Sequence, residues 1–297
     1  PWRKATAYER AEVLKGTATL MRGRVEVLAR LMTFDVGKPL AESKGEIMAS
    51  ASYFEWAAEE GKRLYGRVVP ASKAGVRRLV LKQPIGVTAA LSAWNFPVLL
   101  PARKLAGALG AGCTMVSRSA SQTPLACQGM IKCLADAGLP AGAVNFLVSS
   151  AGDFTSEAFG NPACRKLSFT GSTEVGKQLV KASADNLVKL SLELGGSAPV
   201  LIFPEVDVDE VAKATVAAKF RNMGQVCTAA TLFYAHEAIY DDYVEACAHY
   251  ASQLKIGNGL EEGVNCGPLI NGEAVQSVEA FLADAVAKGA TVVSGGN

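Results

Sequence analysis

Histidine is almost absent from this chain: there are two in 297 residues, His236 and His249. A histidine-rich metal site is therefore excluded, and a Cys-His or Ser-His hydrolase would have to recruit one of these two. The seven cysteines form no C-x-x-C pair, and the closest two, Cys127 and Cys133, stand six apart, which argues against a zinc ribbon or a redox dithiol. Their odd number suits reduced thiols in the cytoplasm. A one-signed charge excess is missing as well. Thirty basic and 28 acidic residues leave a formal net charge of +2, well mixed, so neither a nucleic-acid partner nor a membrane surface is indicated. The longest uncharged stretch, 83–102, has the length of a membrane span but is interrupted by Pro84, Pro97 and Pro101 and contains Asn95. A strand, a turn and a helix start fit it better. The first residues are polar and charged, unlike a signal peptide.

What is present is an ordered globular composition, 49% hydrophobic and 7% aromatic, at a length that suits one large α/β domain or two smaller ones. Residues 7–31 and 39–65 read as two long amphipathic helices broken at DVGKP (35–39). Residues 66–84 read as a β-hairpin, two β-branched runs around a Ser-Lys-Ala-Gly turn. From residue 85 strands alternate with helices. Strands are expected at 86–92, 113–117, 143–148, 164–169, 187–193 and 199–203, and helices at 98–110, 123–138, 153–160, 173–184 and 207–222. That rhythm predicts a Rossmann-like parallel sheet with helices on its faces and ligands beyond the carboxyl ends of its strands. Further on, a strand at 229–235, helices at 237–253 and 272–288, and a last strand at 290–296 suggest part of a second α/β domain.

Four stretches carry candidate chemistry. RKLSFTGSTEVGKQL (165–179) has an apolar strand, a glycine turn and a helix opening, where N–H groups and the Ser172 hydroxyl suit a phosphate or an ordinary helix cap. In SAWNFPVLLPARK (92–104), Asn95 is either an N-cap or a side-chain donor to a developing oxyanion. In VKLSLELGGSAPV (188–200), strict alternation places Lys189, Ser191 and Glu193 on one side. Glu193, just ahead of two glycines, is either a solvated strand residue or a general base. In FRNMGQVCTAA (220–230), Cys227 follows Gly224 and Gln225 at a helix exit, where a thiol can project into a cleft; the other six cysteines read as packing.

Taken in order, WNFP, FTGSTEVG, LELGG and GQVCTA resemble the motifs of the aldehyde dehydrogenase superfamily, and the likeness runs from about Ala7 to the end. The resemblance implies a nucleophile at Cys227 that forms a thiohemiacetal and then a thioester. It implies a base at Glu193, acting on water or on the thiol, and an oxyanion hole from Asn95 and the Cys227 backbone N–H. Such chemistry needs no histidine and no metal. Dinucleotide contacts are implied at Ala93, Trp94, Arg118, Ser121, Gly171, Ser172, Gly176 and Leu194. In VSRSASQTP (116–124), Arg118 stands where the family usually has lysine, and Ser121 where it has glutamate. Losing the carboxylate removes repulsion against a 2′-phosphate and a guanidinium suits it, so NADP is expected over NAD.

YFEWAAEEGKRLYG (53–66), KQPIGVTAA (82–90) and KFRNMGQVC (219–227) are similar to the succinate-semialdehyde branch of that family, in which Arg103 and Arg221 would hold the substrate carboxylate. A structural ion pair is the other reading of both arginines. Succinate semialdehyde is thus the first expectation, with glutarate or 2-oxoglutarate semialdehyde or an aromatic aldehyde as alternatives. A cysteine esterase and a non-catalytic dinucleotide-binding remnant are readings of a different class. The resemblance further assigns 1–65 and 85–195 to the dinucleotide-binding domain, 66–84 to an oligomerisation arm of a homodimer or homotetramer, and 196–297 to an incomplete part of the catalytic domain. No EIFGP-like motif is present, so an excerpt without turnover of its own is expected.

Overall fold

Thr6 opens the first helix with a reciprocal cap: its hydroxyl accepts from Glu9 N at 3.2 Å, and the Glu9 carboxylate accepts from Thr6 N at 2.7 Å. In this computed structural model, which describes residues 1–296, α1 (Ala7–Gly23) is followed by α2 (Val25–Val36) and α3 (Leu40–Lys62). The single helix expected over 7–31 is two. Gly23, a weak helix former, precedes Arg24 at φ −108° and ψ 15°, and the Arg24 guanidinium pairs with Asp136 at 2.7 Å. Gly37, at φ +87°, makes the turn into α3.

The chain divides into two units, 1–31 with 44–194, and 32–43 with 195 onward. In the first, β1 (Arg67–Val69) and β2 (Arg78–Val80) form an exposed antiparallel pair, joined through Gly75 at φ +79°. Then come β3 (Val87–Leu91), α4 (Leu99–Gly110), β4 (Thr114–Arg118), α5 (Leu125–Asp136), β5 (Val144–Leu147), α6 (Ala151–Gly160), β6 (Cys164–Gly171), α7 (Thr173–Ser183) and β7 (Lys189–Leu194). The five strands are parallel in the order β5-β4-β3-β6-β7. Strands are added outward from β3 to one side, then to the other, so the order reverses at β3 and opens a crevice at its carboxyl end.

Ala89, Leu91, Leu167 and Phe169 of the sheet meet Phe154, Ala158 and Phe159 of α6 and Leu179 of α7 in one core. Each large side chain buried there contributes about 1.5–3 kcal/mol. Gly110 lets α4 approach α3 closely, since a Cβ at that position would stand 2.9 Å from the Ala57 carbonyl oxygen.

In the second unit β8 (Pro199–Ile202) and β9 (Leu232–Ala235) pair in parallel and are connected through α8 (Val208–Phe220). α9 (Tyr240–Ser252) packs on α8, and α10 (Gly272–Ala287) starts at the Asn271 cap. Ile202, Ala212 and Tyr243 form the core, with the Tyr243 hydroxyl 3.1 Å from Thr215 Oγ1. The sequence reading keeps 1–65 together. The α2–α3 elbow instead packs with the second unit: Leu40 N donates to Gly259 O at 2.9 Å, and a Cβ on Gly267 would fall 2.0 Å from Gly37 O.

The helix expected from 237 opens as a 3₁₀ turn, Glu237–Ile239, because His236 Nδ1 accepts from Ala238 N at 3.2 Å. The strand expected at 290–296 is not formed. Among the described residues no strand pairs with this β-branched run, and Gly295 and Gly296 take φ +75° and +85°. Without a partner ladder, β propensity alone makes no strand. Among the described residues no helix is long and apolar enough to cross a membrane.

Candidate functional site

The candidates in the first unit gather beyond the carboxyl ends of its strands. Ala93, Trp94 and Asn95 follow β3, Arg118 ends β4, Gly171 ends β6 and Leu194 ends β7. The Thr123 hydroxyl donates to the Trp94 carbonyl at 3.2 Å and so ties the loops after β3 and β4 together. Ser172 does cap α7, accepting from Val175 N at 3.3 Å. The Glu174 carboxylate also accepts from its own N–H and from the Ser172 hydroxyl, which lowers its pKa, so both groups are engaged at the start of α7. A Cβ on Gly176 would stand 2.7 Å from Leu194 Cδ2, so this glycine is what seats Leu194 against α7. Between α6 and α7 lies a cleft of about 570 Å³, lined by Leu91, Gly152, Thr155, Val175 and Gln178 among others. Sequence reasoning missed it, because its walls come from helix faces without a motif.

Arg118 turns toward the loop after β5. Its Nε and one terminal nitrogen donate to the Ser149 carbonyl at 3.0 and 2.8 Å, and burial lowers its pKa. One terminal nitrogen is left for a ligand anion. Ser121 is exposed in the turn that follows.

Asn95 does not cap α4. Val98 holds that position without a side-chain cap, and both Val98 N and Leu99 N donate to Glu46 Oε1 at 3.0 Å. A buried carboxylate from α3 thus takes over the helix start, and the capping alternative for Asn95 falls.

Glu193 is exposed on β7 and pairs in register with Thr170 of β6, so the two side chains leave the sheet on one face. Lys104 of α4 reaches that face and donates to Thr170 Oγ1. Burial pushes the Lys104 pKa down to about 8, with the Glu193 charge opposing the shift and Arg103 adding to it. Lys104 is a residue the sequence reading passed over. Its signal was there: it sits four residues after the buried Leu100 and directly before the buried Leu105, on an otherwise apolar helix side. Arg103 is exposed, with its guanidinium 4.9 Å from the centre of the Tyr53 ring.

Folding a lysine whose pKa falls from 10.5 to about 8 carries a penalty that is full below pH 8 and lifts between 8 and 10.5, where only the unfolded chain is protonated. Replacing Lys104 by methionine is expected to stabilise the protein by about 1–3 kcal/mol at neutral pH, with the gain vanishing above pH 10.5. Urea unfolding at both pH values checks this, and equal destabilisation at both would contradict it.

In the second unit Cys227 occupies the turn after α8, with Ala229 N donating to Val226 O at 3.1 Å. Of the seven free cysteines it alone is exposed. Arg221 lies exposed at the end of α8. The two histidines are engaged elsewhere, His236 with Ala238 N and His249 with Gln253 Nε2 at 2.7 Å. Among the described residues no group of three or more His, Cys, Asp or Glu side chains could hold a metal ion.

The whole chain, residues 1–297, matches the model of the aldehyde dehydrogenase family. It is 50% identical over 295 residues to the succinate-semialdehyde dehydrogenase [NADP(+)] of Escherichia coli (strain K12), a match covering 99% of this chain and 61% of that protein. It is 49% identical over 295 residues to a glutarate-semialdehyde dehydrogenase of Pseudomonas putida, covering 99% and 62%. Among solved structures, an NADP-dependent enzyme of E. coli superposes with a TM-score of 0.97 at 50% identity, covering 100% of this chain and 62% of that one. The chain therefore spans about 61% of the length of the curated relatives it matches. Fold, rim and sequence agree, and the chain belongs to the aldehyde dehydrogenase family.

Proposed function

We propose that this protein oxidises a short semialdehyde bearing a distal carboxylate, succinate semialdehyde first, with NADP+ as preferred acceptor and NAD+ as the alternative. The observation that carries the reading is Cys227, the one exposed thiol of seven, on a fixed turn with neither histidine bonded to it. Its sulfur adds to the aldehyde carbon and turns a carbonyl into an alkoxide, from which hydride leaves far more readily. Asn95 is assigned as donor to that oxygen together with the Cys227 N–H, each worth about 3–4 kcal/mol. The dinucleotide, when bound, supplies the hydride acceptor. Glu193 then takes a proton from the water that hydrolyses the thioester on Cys227.

The residues of the first unit fit a dinucleotide. The cleft between α6 and α7 takes the adenine, the α7 N-terminus with Ser172 a phosphate, and Arg118 with Ser121 the ribose side. Ala93, Trp94, Gly171, Gly176 and Leu194 complete that wall. Residues 118–124 hold no acidic side chain, which favours a 2′-phosphate. Ser121→Glu is expected to raise the KM for NADP+ at least about tenfold while leaving that for NAD+ little changed, through like-charge repulsion. Steady-state kinetics with both dinucleotides checks this, and parallel changes for the two would contradict it.

Arg103 and Arg221 are assigned to the substrate carboxylate, the part of the reading that selects a semialdehyde. Support comes from the relatives, whose names specify succinate and glutarate semialdehydes. The hairpin carries exposed Val68, Leu79 and Leu81, which suit self-association into a homodimer or homotetramer. The reduced thiols fit the cytoplasm. Kinetics of the full-length protein on a panel of semialdehydes, each with both dinucleotides, tests the reading. Succinate semialdehyde with NADP+ should give the highest kcat/KM. Ester cleavage without any dinucleotide-dependent oxidation would overturn it.

A further inference from the structure

The thiol assigned as nucleophile follows backbone that few sequences adopt. Asn222 (φ 49°, ψ 39°) and Met223 (φ 55°, ψ 32°) are both left-handed, and Gly224 continues at φ +76°. Glycine favours that region and asparagine tolerates it, but methionine does neither, so Met223 is held there against backbone strain. Asn222 is fully buried, so its main-chain N–H must find an acceptor inside the protein.

That acceptor comes from 180 residues away: Asn222 N donates to Glu42 Oε2, on the first turn of α3, at 2.8 Å. The rest of the turn closes on itself. Gln225 N and Nε2 donate to Asn222 O at 3.0 and 3.3 Å, and Asn222 Nδ2 donates to Gln225 O at 3.1 Å. Gln225 Oε1 accepts from Ile270 N at 3.0 Å. Gly267 supports the turn from below, since a Cβ there would stand 3.4 Å from Met223 Sδ. The segment is thus fastened at Asn222 and again at Gln225, two residues before Cys227.

We propose that Glu42 is a positioning residue for Cys227: its carboxylate holds the left-handed turn 222–224, and that turn fixes where the exposed thiol stands. The inference rests on the nucleophile role given to Cys227 above. A charge-assisted bond to a buried N–H is stronger than a neutral one, which suits a turn that must retain strain. Removing the acceptor leaves the N–H unmet and frees the three residues to relax toward ordinary backbone. The thiol moves with them, and reactions that need attack geometry are sensitive to shifts of that size.

The test compares Glu42→Ala with Glu42→Gln in the full-length protein. Alanine offers no acceptor, whereas glutamine keeps an oxygen for the Asn222 N–H. Amide hydrogen exchange of the peptide spanning 219–231 should become at least about tenfold faster in E42A and return close to wild type in E42Q. Turnover should follow: kcat falls at least about tenfold in E42A with the dinucleotide KM unchanged, and E42Q recovers most of it. Should E42A fail to fold, Gln225→Ala, which severs the tie to Ile270 N, replaces it with the same expected rise in exchange. Unchanged exchange in the alanine variant, or a glutamine variant as impaired as the alanine one, overturns the proposal. Cys227→Ser is measured beside them. Retained turnover in that variant overturns the nucleophile reading, while the exchange comparison judges the Glu42 clamp independently.

Discussion

Replacing Cys227 by serine is expected to lower aldehyde oxidation by about 10⁴-fold or more, with dinucleotide affinity unchanged. A serine hydroxyl ionises far less readily than a thiol and has no histidine beside it to act as base. His236 is committed to the turn that opens α9, and His249 to Gln253 on the same helix. Serine differs from cysteine by a single atom of similar size, so the unfolding midpoint should move little. Dinucleotide titration followed by fluorescence, beside the turnover assay, separates a lost nucleophile from a lost binding site. Turnover within about tenfold of wild type would show that the chemistry runs elsewhere.

Glu193→Gln is expected to act later in the reaction. Glutamine keeps the size of the side chain but cannot accept the proton of an attacking water, so thioester hydrolysis should slow by about 10²–10⁴-fold. Hydride transfer should survive better, giving a burst of one equivalent of reduced dinucleotide followed by a slow steady phase. The setting of Glu193 favours this. It is exposed at the end of β7, opposite Thr170, on the face that the Lys104 ammonium reaches. Stopped-flow absorbance of the reduced dinucleotide distinguishes the outcomes. Burst and steady phases slowed equally would mean that Glu193 serves the thiol, not the water.

The sheet was legible because its strands are short runs between turn residues, some mainly apolar like 87–91 and others alternating like 189–194, and the helices between them keep a 3.6-residue rhythm. The rim followed from topology, since Asn95, Arg118, Ser172 and Leu194 all lie near carboxyl ends of parallel strands. What stayed hidden depends on partners distant in sequence. Glu46 caps α4 from 52 residues upstream, and no local pattern announces that. Glu42 reaches Asn222 across 180 residues. Arg118 spends two donors on the Ser149 carbonyl, which its place in the motif does not reveal. Residues 290–296 show the converse failure, a strand-like composition with no ladder to join among the described residues. The break between α1 and α2 falls at Gly23 and Arg24, where one glycine inside a helical pattern is too weak a signal to end a helix by itself.

The most direct test of the covalent mechanism is mass spectrometry of the full-length Glu193→Gln protein, quenched in acid during turnover with succinate semialdehyde and NADP+. The account predicts an acyl adduct on the peptide carrying residues 220–230, at Cys227, in an amount equal to the burst of reduced dinucleotide. Reduced dinucleotide forming while that peptide stays unmodified, or an adduct on another cysteine, would contradict it.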